Sequence, residues 1–520
     1  MADPVVPSNQ PTTVIAKSFS GDYRIDVLLD NVAFRWNSAS PLGTPVEIPY
    51  SFMLAPPANA GAEDRNGFSV FTTEEKAATK QILDQISKLI NVSFKEVPDT
   101  AFTYGIRLGN NIQTKGAGYA SLPQPDTANP GNFLTGGGDL YMASNQFSDP
   151  SFRPGTYEYL TLVHEIGHAM GLNHPGNYNA GEPASTEAGN FLATSEDNNW
   201  VSIMSYNRVP QEQIREFFGT YDMLALKYLY GSKAFNAENS TYTYSDNDAK
   251  TLKIINDTAA IDTIDVSAST VAANINLTPG SNSSFGKVAA DIPATNNLSI
   301  AFDATIENAI GTAFNDTLKG NDVGNVLTGG SGNDGIDGGA GIDTAAYSGT
   351  KSLYAITGSG SARTVTDSTA GRDGTDTLTN VERLKFSDEN VALDVGGNAG
   401  TAAKVLGVIF GASAVSNKQY AGIGLGLVDG GMSYQDLMQV ALNFKLGAGF
   451  SNEAEIKLLF QTLAGATPSA ADLAYWSGTI TSNQFTQVSL AVLAADTAIN
   501  ANNIQLTGLA ATGLEYSPVA

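Results

Sequence analysis

The sequence predicts a multidomain chain: an α/β (α+β) unit, then a parallel β-roll or β-sandwich region, then an all-α region. Three observations predict it. Helix-period and strand-period stretches alternate up to about residue 231. A nine-residue glycine and aspartate period starts at residue 311. Beyond about residue 400 the apolar spacing is helical again. At 520 residues the chain also exceeds what one core organises. The division expected is an arm or pro-segment over 1–20, an α/β domain over 21–234, a β-rich repeat domain over 235–395 and a helical domain over 396–520.

Each element has a local reason. The opening segment is polar and proline-bearing, hence an extended arm. From Tyr23 to Trp36 the apolar spacing fits strands. Thr72 and Glu75 have capping-box spacing, and Ile82, Ile86, Leu89 and Ile90 line one face of the helix that follows. Strands are expected over 92–97, 103–108 and Gly136–Ser144. A second helix should run from Thr156 through Met170 and stop at Gly171, and a third from Tyr221 to Tyr230 before Gly231. In the last region Ser433-x-x-Asp436 and Ser469-x-x-Asp472 read as helix starts. Ala402–Val415 is apolar but carries Lys404 and is too short to span a bilayer, so it reads as a buried helix and not a transmembrane one. The final GLAATGLEYSPVA reads as loosely ordered.

Composition narrows the function classes. Lys and Arg total 28 against 52 Asp and Glu, a formal charge of -24. Such a field repels phosphate backbones and argues against nucleic-acid binding. Excess carboxylate suits hard cations, calcium above all. The absence of cysteine leaves the compartment open. MADPVVPSNQPTT has neither a basic nor an apolar run of the kind an N-terminal export signal needs.

The whole stock of histidine lies in LVHEIGHAMGLNHPG, residues 162–176. His164 and His168 are four apart, so on a helix both nitrogens can aim at one point. Gly171 lets the chain double back and bring His174 to the same point. Three neutral imidazoles and an open position describe a catalytic zinc site. Glu165 stands beside it, able to take a proton from water and pass it to a leaving amine. A bare histidine pair is also compatible with packing alone, but here the spacing His164-Glu165-x-x-His168-x-x-Gly171-x-x-His174 is complete, which is the metzincin pattern. Downstream, SIMSY (202–206) supplies Met204 as an apolar floor and Tyr206 as a hydroxyl near the metal, a ligand at rest or a donor to an oxyanion.

With HEIGHAMGLNHPG (164–176), SIMSY (202–206) and YDMLALKYLYG (221–231), the chain resembles the serralysin family, secreted metzincins with calcium-binding repeats, over roughly residues 20–350. The resemblance implies one catalytic zinc held by His164, His168 and His174, Glu165 as general base, and Tyr206 as a mobile tyrosine near the metal. It also implies an edge strand that pairs with extended protein or peptide substrate, for which Gly138–Ser144 is the candidate.

The repeats GTAFNDTLK, GNDVGNVLT, GGSGNDGID and GGAGIDTAA follow without a gap over 311–346. Position six is Asp316, Asn325, Asp334 and Asp343, and position eight is Leu318, Leu327, Ile336 and Ala345. Such repeats build a parallel β-roll in which two repeats make one coil. Calcium would then sit between turns eighteen residues apart, pairing Asp316 with Asp334 and Asn325 with Asp343. Turn carbonyls at Gly329, Gly332, Gly338 and Gly341 would complete the cages. Because the repeats are imperfect, two or three ions are expected, roughly, from the number of oxygens each needs. DTIDVSAST, IENAIGTAFNDTLKGND and GRDGTDTLTNVERLKFSD flank them as in serralysin C-terminal domains, which implies export by a type I secretion apparatus and an extracellular location. Residues 466–478 (ATPSAADLAYWSG) resemble a helical domain of unknown function from bacterial secreted repeat proteins. Its roles could be contact with the cell surface, substrate recognition, export, or a packed cap on the roll. The leading expectation is therefore a secreted zinc endopeptidase. The competing one is a calcium-bound surface or matrix protein that binds without cutting; an intact Glu165 argues against it.

Overall fold

The computed structural model describes residues 19–179 and 189–518. The expected arm over 1–20 lies, but for its last two residues, outside them. The chain divides into two compact units, 1–271 with 277–306, and 272–276 with 307–520.

The first unit opens with a helical turn, α1 (Tyr23–Asp26), where strands were expected up to Trp36. The local reason is Asp22, whose carboxylate caps the Arg24 N–H while its carbonyl accepts from the N–H groups of Ile25 and Asp26. Ile25, Val27, Leu28 and Leu29 are all buried. A run buried on every side belongs to a turn packed into the core, whereas a half-buried strand would expose alternate residues.

A five-stranded sheet follows, built from β1 (Val46–Phe52), β2 (Val92–Glu96), β3 (Ile106–Asn111), β4 (Gly118–Ala120) and β5 (Asp139–Ala143). Its order is β2-β1-β3-β5-β4, with only β4 antiparallel to its neighbour. Thus β5, the expected substrate-pairing edge, is an inner strand bonded on both sides, and the edge is β4. The three-residue Gly118–Ala120 segment carries no periodicity of its own, so only sheet pairing could reveal it. Helix α2 (Thr73–Leu89) has the Thr72–Glu75 capping box, with Thr72 Oγ1 accepting from Glu75 N–H at 3.2 Å. It buries Ile82 and Ile86, each worth about 2 kcal/mol of burial. Behind the sheet lies the second expected helix, α3 (Tyr157–Ala169), with Thr156 as its N-cap, and the third expected helix is α4 (Thr220–Tyr230), ended by Gly231.

In the second unit the nine-residue period becomes short parallel strands. Thr317–Lys319 pairs with Gly335–Asp337 and Val326–Thr328 with Thr344–Ala346, so partners are eighteen residues apart. Leu318, Leu327, Ile336 and Ala345 point inward and are buried. The coil continues beyond the repeats through Thr375–Thr379 and Arg383–Lys385. Helices then occupy most of 398–512, with Ser433 and Ser469 as N-caps. Of the buried helix expected over Ala402–Val415, residues 402–410 lie in the largely buried helix Asn398–Phe410, and Gly411, at a φ of 91°, ends it before a separate short turn, Ala412–Ser416. The tail expected to be loose is not: Leu514–Tyr516 adds an antiparallel strand to Asn390–Ala392, Leu514 is buried, and Glu515 pairs with Lys351 and Lys418. That strand is too short to read from sequence; the sheet edge it completes defines it. Among the described residues no helix is long and apolar enough to cross a membrane.

Candidate metal centre and repeat turns

The end of α3 is fixed from outside. Trp36 Nε1–H donates to Ala169 O at 2.8 Å and Tyr230 OH to Met170 O at 2.9 Å. Gly171 has a φ of 103°, and a Cβ there would stand 2.2 Å from Phe34 O. Only glycine can turn the chain at that point, and the turn carries His174 back over the helix.

The three imidazoles converge. His174 Nε2 lies 3.2 Å from His164 Nε2 and 3.1 Å from His168 Nε2. Each Nδ1 faces a carbonyl: His164 that of Ile203 at 2.9 Å, His168 that of Leu172 at 2.8 Å, His174 that of Tyr178 at 3.2 Å. A carbonyl only accepts, so each Nδ1 carries the proton and each Nε2 presents a lone pair. Three lone pairs meeting in a buried place repel one another unless a cation lies among them. This donor set of neutral nitrogens fits zinc. Burial keeps the rings neutral, lowering His164 to about 4 and His174 to about 3, with His168 also lowered.

Glu165 is buried and its Oε2 has no hydrogen-bond partner among the described residues. Burial alone pushes its carboxyl up to about 8, and a dication at the histidines would act in the opposite direction. It lies under the edge strand: a Cβ on Gly118 would come within 2.9 Å of Glu165 Oε1. Met204 is fully buried, its sulfur against Gly167 of α3. Tyr206 is 43% exposed, its ring stacked on that of His164 with centroids 5.8 Å apart and tilted against that of His174 at 4.5 Å. Glu165, His168, His174 and Tyr206 line one cleft of about 630 Å³ with Gly118 and Tyr119 of β4.

Sequence reasoning missed what holds these groups. Asp222 Oδ2 accepts from Ile203 N–H at 2.6 Å and Gly219 N–H at 2.7 Å, and Oδ1 from Ser202 Oγ at 2.6 Å. Arg215, fully buried, donates to the carbonyls of Asn199 and Trp200. Gly219-x-x-Asp222 is capping spacing with glycine as the cap, a weak signal; Arg215 had none. Replacing Asp222 with alanine strips three buried donors of their acceptor. At about 1–3 kcal/mol each for a stranded polar group, stability should fall by at least about 3 kcal/mol. A thermal melt checks this, and an unshifted midpoint would contradict it.

The repeat turns place position six inside the roll. Asp316 N–H donates to Asp334 Oδ1 at 2.8 Å and Asn325 N–H to Asp343 Oδ1 at 2.7 Å, the eighteen-residue partners expected. Asp334 Oδ2 and Asp343 Oδ2 are buried without a partner among the described residues, whereas the Asp316 carboxylate is taken up by Ala273 and Thr312. Gly332 and Gly341 have φ of 134° and 125°, and Cβ atoms at Gly329 and Gly338 would meet the Asp334 and Asp343 side chains. Two further carboxylates continue the ladder unseen by the repeat: Asp376 accepts from Asp334 N–H and Glu382 from Asp343 N–H. Burial, reinforced by neighbouring carboxylates, pushes Asp334 up to about 6 and both Asp343 and Asp376 up to about 7.

A helix carrying two such histidines and a glycine turn delivering a third together make a three-histidine group able to hold one metal ion, with Met204 buried against the helix. Comparison with known proteins agrees. Residues 63–218 match the family described as metallo-peptidase family M12, and residues 224–401 match the peptidase M10 serralysin C-terminal family. The chain is 31% identical to a serralysin of Photorhabdus luminescens over 283 residues, 50% of this chain and 55% of that protein. It is 31% identical to a serralysin of Proteus mirabilis, covering 56% of this chain and 63% of that one. Identity is also 31% to metalloprotease AprA of Pseudomonas entomophila, over 60% and 66% respectively. The chain is a relative of the serralysin-type metalloproteases, and these alignments span 55–66% of the relatives' own length.

Proposed function

We propose that the chain is a zinc-dependent endopeptidase that cleaves extended protein substrates outside the cell, exported by a type I apparatus and stabilised by calcium in its repeat turns. The observation that carries the reading is the meeting of three Nε2 lone pairs beside a buried carboxylate oxygen that has no partner among the described residues. His164, His168 and His174 hold the zinc, which when bound supplies Lewis acidity toward water and the scissile carbonyl. Glu165 takes the proton of the attacking water and returns it to the leaving amide nitrogen. Tyr206, at the cleft wall, donates its hydroxyl hydrogen bond to the negative charge that develops on the carbonyl oxygen. Met204 gives the centre an apolar floor, and the outer strand β4 offers backbone groups to pair with substrate. In the roll, the orphaned oxygens of Asp334 and Asp343 supply calcium ligands, with Asp316, Asn325 and the carbonyls of Gly329, Gly332, Gly338 and Gly341 around them. The domain division proposed remains 21–234, 235–395 and 396–520, the last offered to cell-surface contact.

The test is metal content with activity. The purified protein should hold one zinc per chain, lose casein cleavage to 1,10-phenanthroline, and regain it with added zinc. His174→Ala should lose both metal and cleavage. Stoichiometric metal absent from the parent, or cleavage surviving in His174→Ala, would overturn the proposal.

A further inference from the structure

We propose that Tyr178 is a positioning residue that fixes Tyr206 and the third imidazole, His174, as one unit. The proposal rests on the reading of Tyr206 as an oxyanion donor. Tyr178 touches both partners by different atoms. Its backbone carbonyl accepts from His174 Nδ1–H at 3.2 Å, setting that ring's tautomer. Its hydroxyl donates to Asp197 Oδ1 at 2.8 Å and accepts from the Tyr206 backbone N–H at 3.2 Å. Its ring stacks on that of Tyr206, centroids 4.8 Å apart at 23°. The Tyr206 ring is thereby held between the imidazoles and Tyr178.

The support behind Tyr178 is rigid. Asp197 is 6% exposed and also accepts from Ser205 Oγ at 2.6 Å and Asn207 Nδ2 at 2.8 Å, so one carboxylate grips both neighbours of Tyr206. Gly176 leaves the space this needs: a Cβ there would stand 2.0 Å from Tyr178 Cε1 and 2.5 Å from Asp197 Oδ2. A hydroxyl aimed at developing charge helps only when its direction is set before the reaction. Tyr206 is the most exposed member of the site, so it has the greatest need of a brace.

Tyr178→Phe removes the hydroxyl and leaves the stacked ring and the carbonyl. Zinc affinity, read by chelator competition, should stay within about threefold, because the contact with His174 is main-chain. KM should hardly change while kcat falls about tenfold, the signature of an interaction made in the transition state. The double variant with Tyr206→Phe should be no slower than Tyr206→Phe alone. With 3-fluorotyrosine at position 206, the parent should give one sharp ¹⁹F line and Tyr178→Phe a broadened or doubled one. Asp197→Asn should alter that line in the same way, which covers the case of a poorly folding Tyr178→Phe. An unchanged line, or additive losses in the double variant, would overturn the inference. Should Tyr206→Phe keep the parental kcat, the oxyanion reading fails instead, and the ¹⁹F line still decides the positioning.

Discussion

Replacing Glu165 with glutamine is expected to leave fold and zinc content intact and to lower kcat/KM on casein by about 10²–10⁴-fold, the range that a positioned general base supplies. Glutamine fits where glutamate does: the carboxylate sits under Gly118, and the exchange keeps its volume. The buried Oε2 has no partner among the described residues to lose, so stability should change little or rise, because a buried ionisable group gives way to a neutral one. The pair of results matters. Lost cleavage with retained zinc assigns the base; cleavage within about threefold of the parent, far inside the expected loss, would remove Glu165 from the chemistry. Gly118→Ala serves as a geometric companion. Its new methyl would press on Glu165 Cγ at 2.8 Å, so cleavage should fall while zinc stays bound.

Calcium removal should have the largest effect on stability, and the effect should grow with pH. Asp334, Asp343 and Asp376 have carboxyl groups raised in the fold to about 6, 7 and 7. An unfolded aspartate titrates near about 3.9. The folded form therefore holds these protons more tightly. That stabilisation is complete below about pH 4 and is lost as pH rises through the folded values. In EGTA the melting temperature should thus fall between pH 4.5 and pH 8. Millimolar calcium should reverse the loss at pH 8, where the carboxylates are ionised and ready to bind. A site filled to 1,000 times its Kd contributes about 4 kcal/mol, which for a unit of this size is roughly 10 °C. Asp343→Asn should be more stable than the parent in EGTA at pH 8 and respond less to calcium. Melting curves indifferent to calcium at pH 8 would sink the calcium account of the roll.

The candidate site was legible because the meeting of its histidines depends on spacing along the chain. A four-residue interval puts His164 and His168 on one helical face, and a glycine three residues on permits the return that brings His174. The nine-residue period likewise fixed which strands pair, since parallel register repeats with the sequence. What failed to read was short or long-range. The 23–36 segment resembled strands because its apolar residues are frequent, yet a local cap and burial on all sides made it a turn. β4 and the Leu514–Tyr516 strand have three residues each and exist through the partners they bond.

By itself the sequence determined the candidate ligands and base and the coil period, properties of neighbours a few residues apart, and its downstream SIMSY segment singled out Met204 and Tyr206. Only the tertiary structure decided the rest. It made β4 the edge over Glu165, set Asp222 and Arg215 beneath the Met204 turn, and placed Tyr178 and Asp197 against Tyr206. Those residues act through hydrogen bonds to backbone groups far along the chain, and a backbone N–H or carbonyl leaves no mark in the amino-acid alphabet.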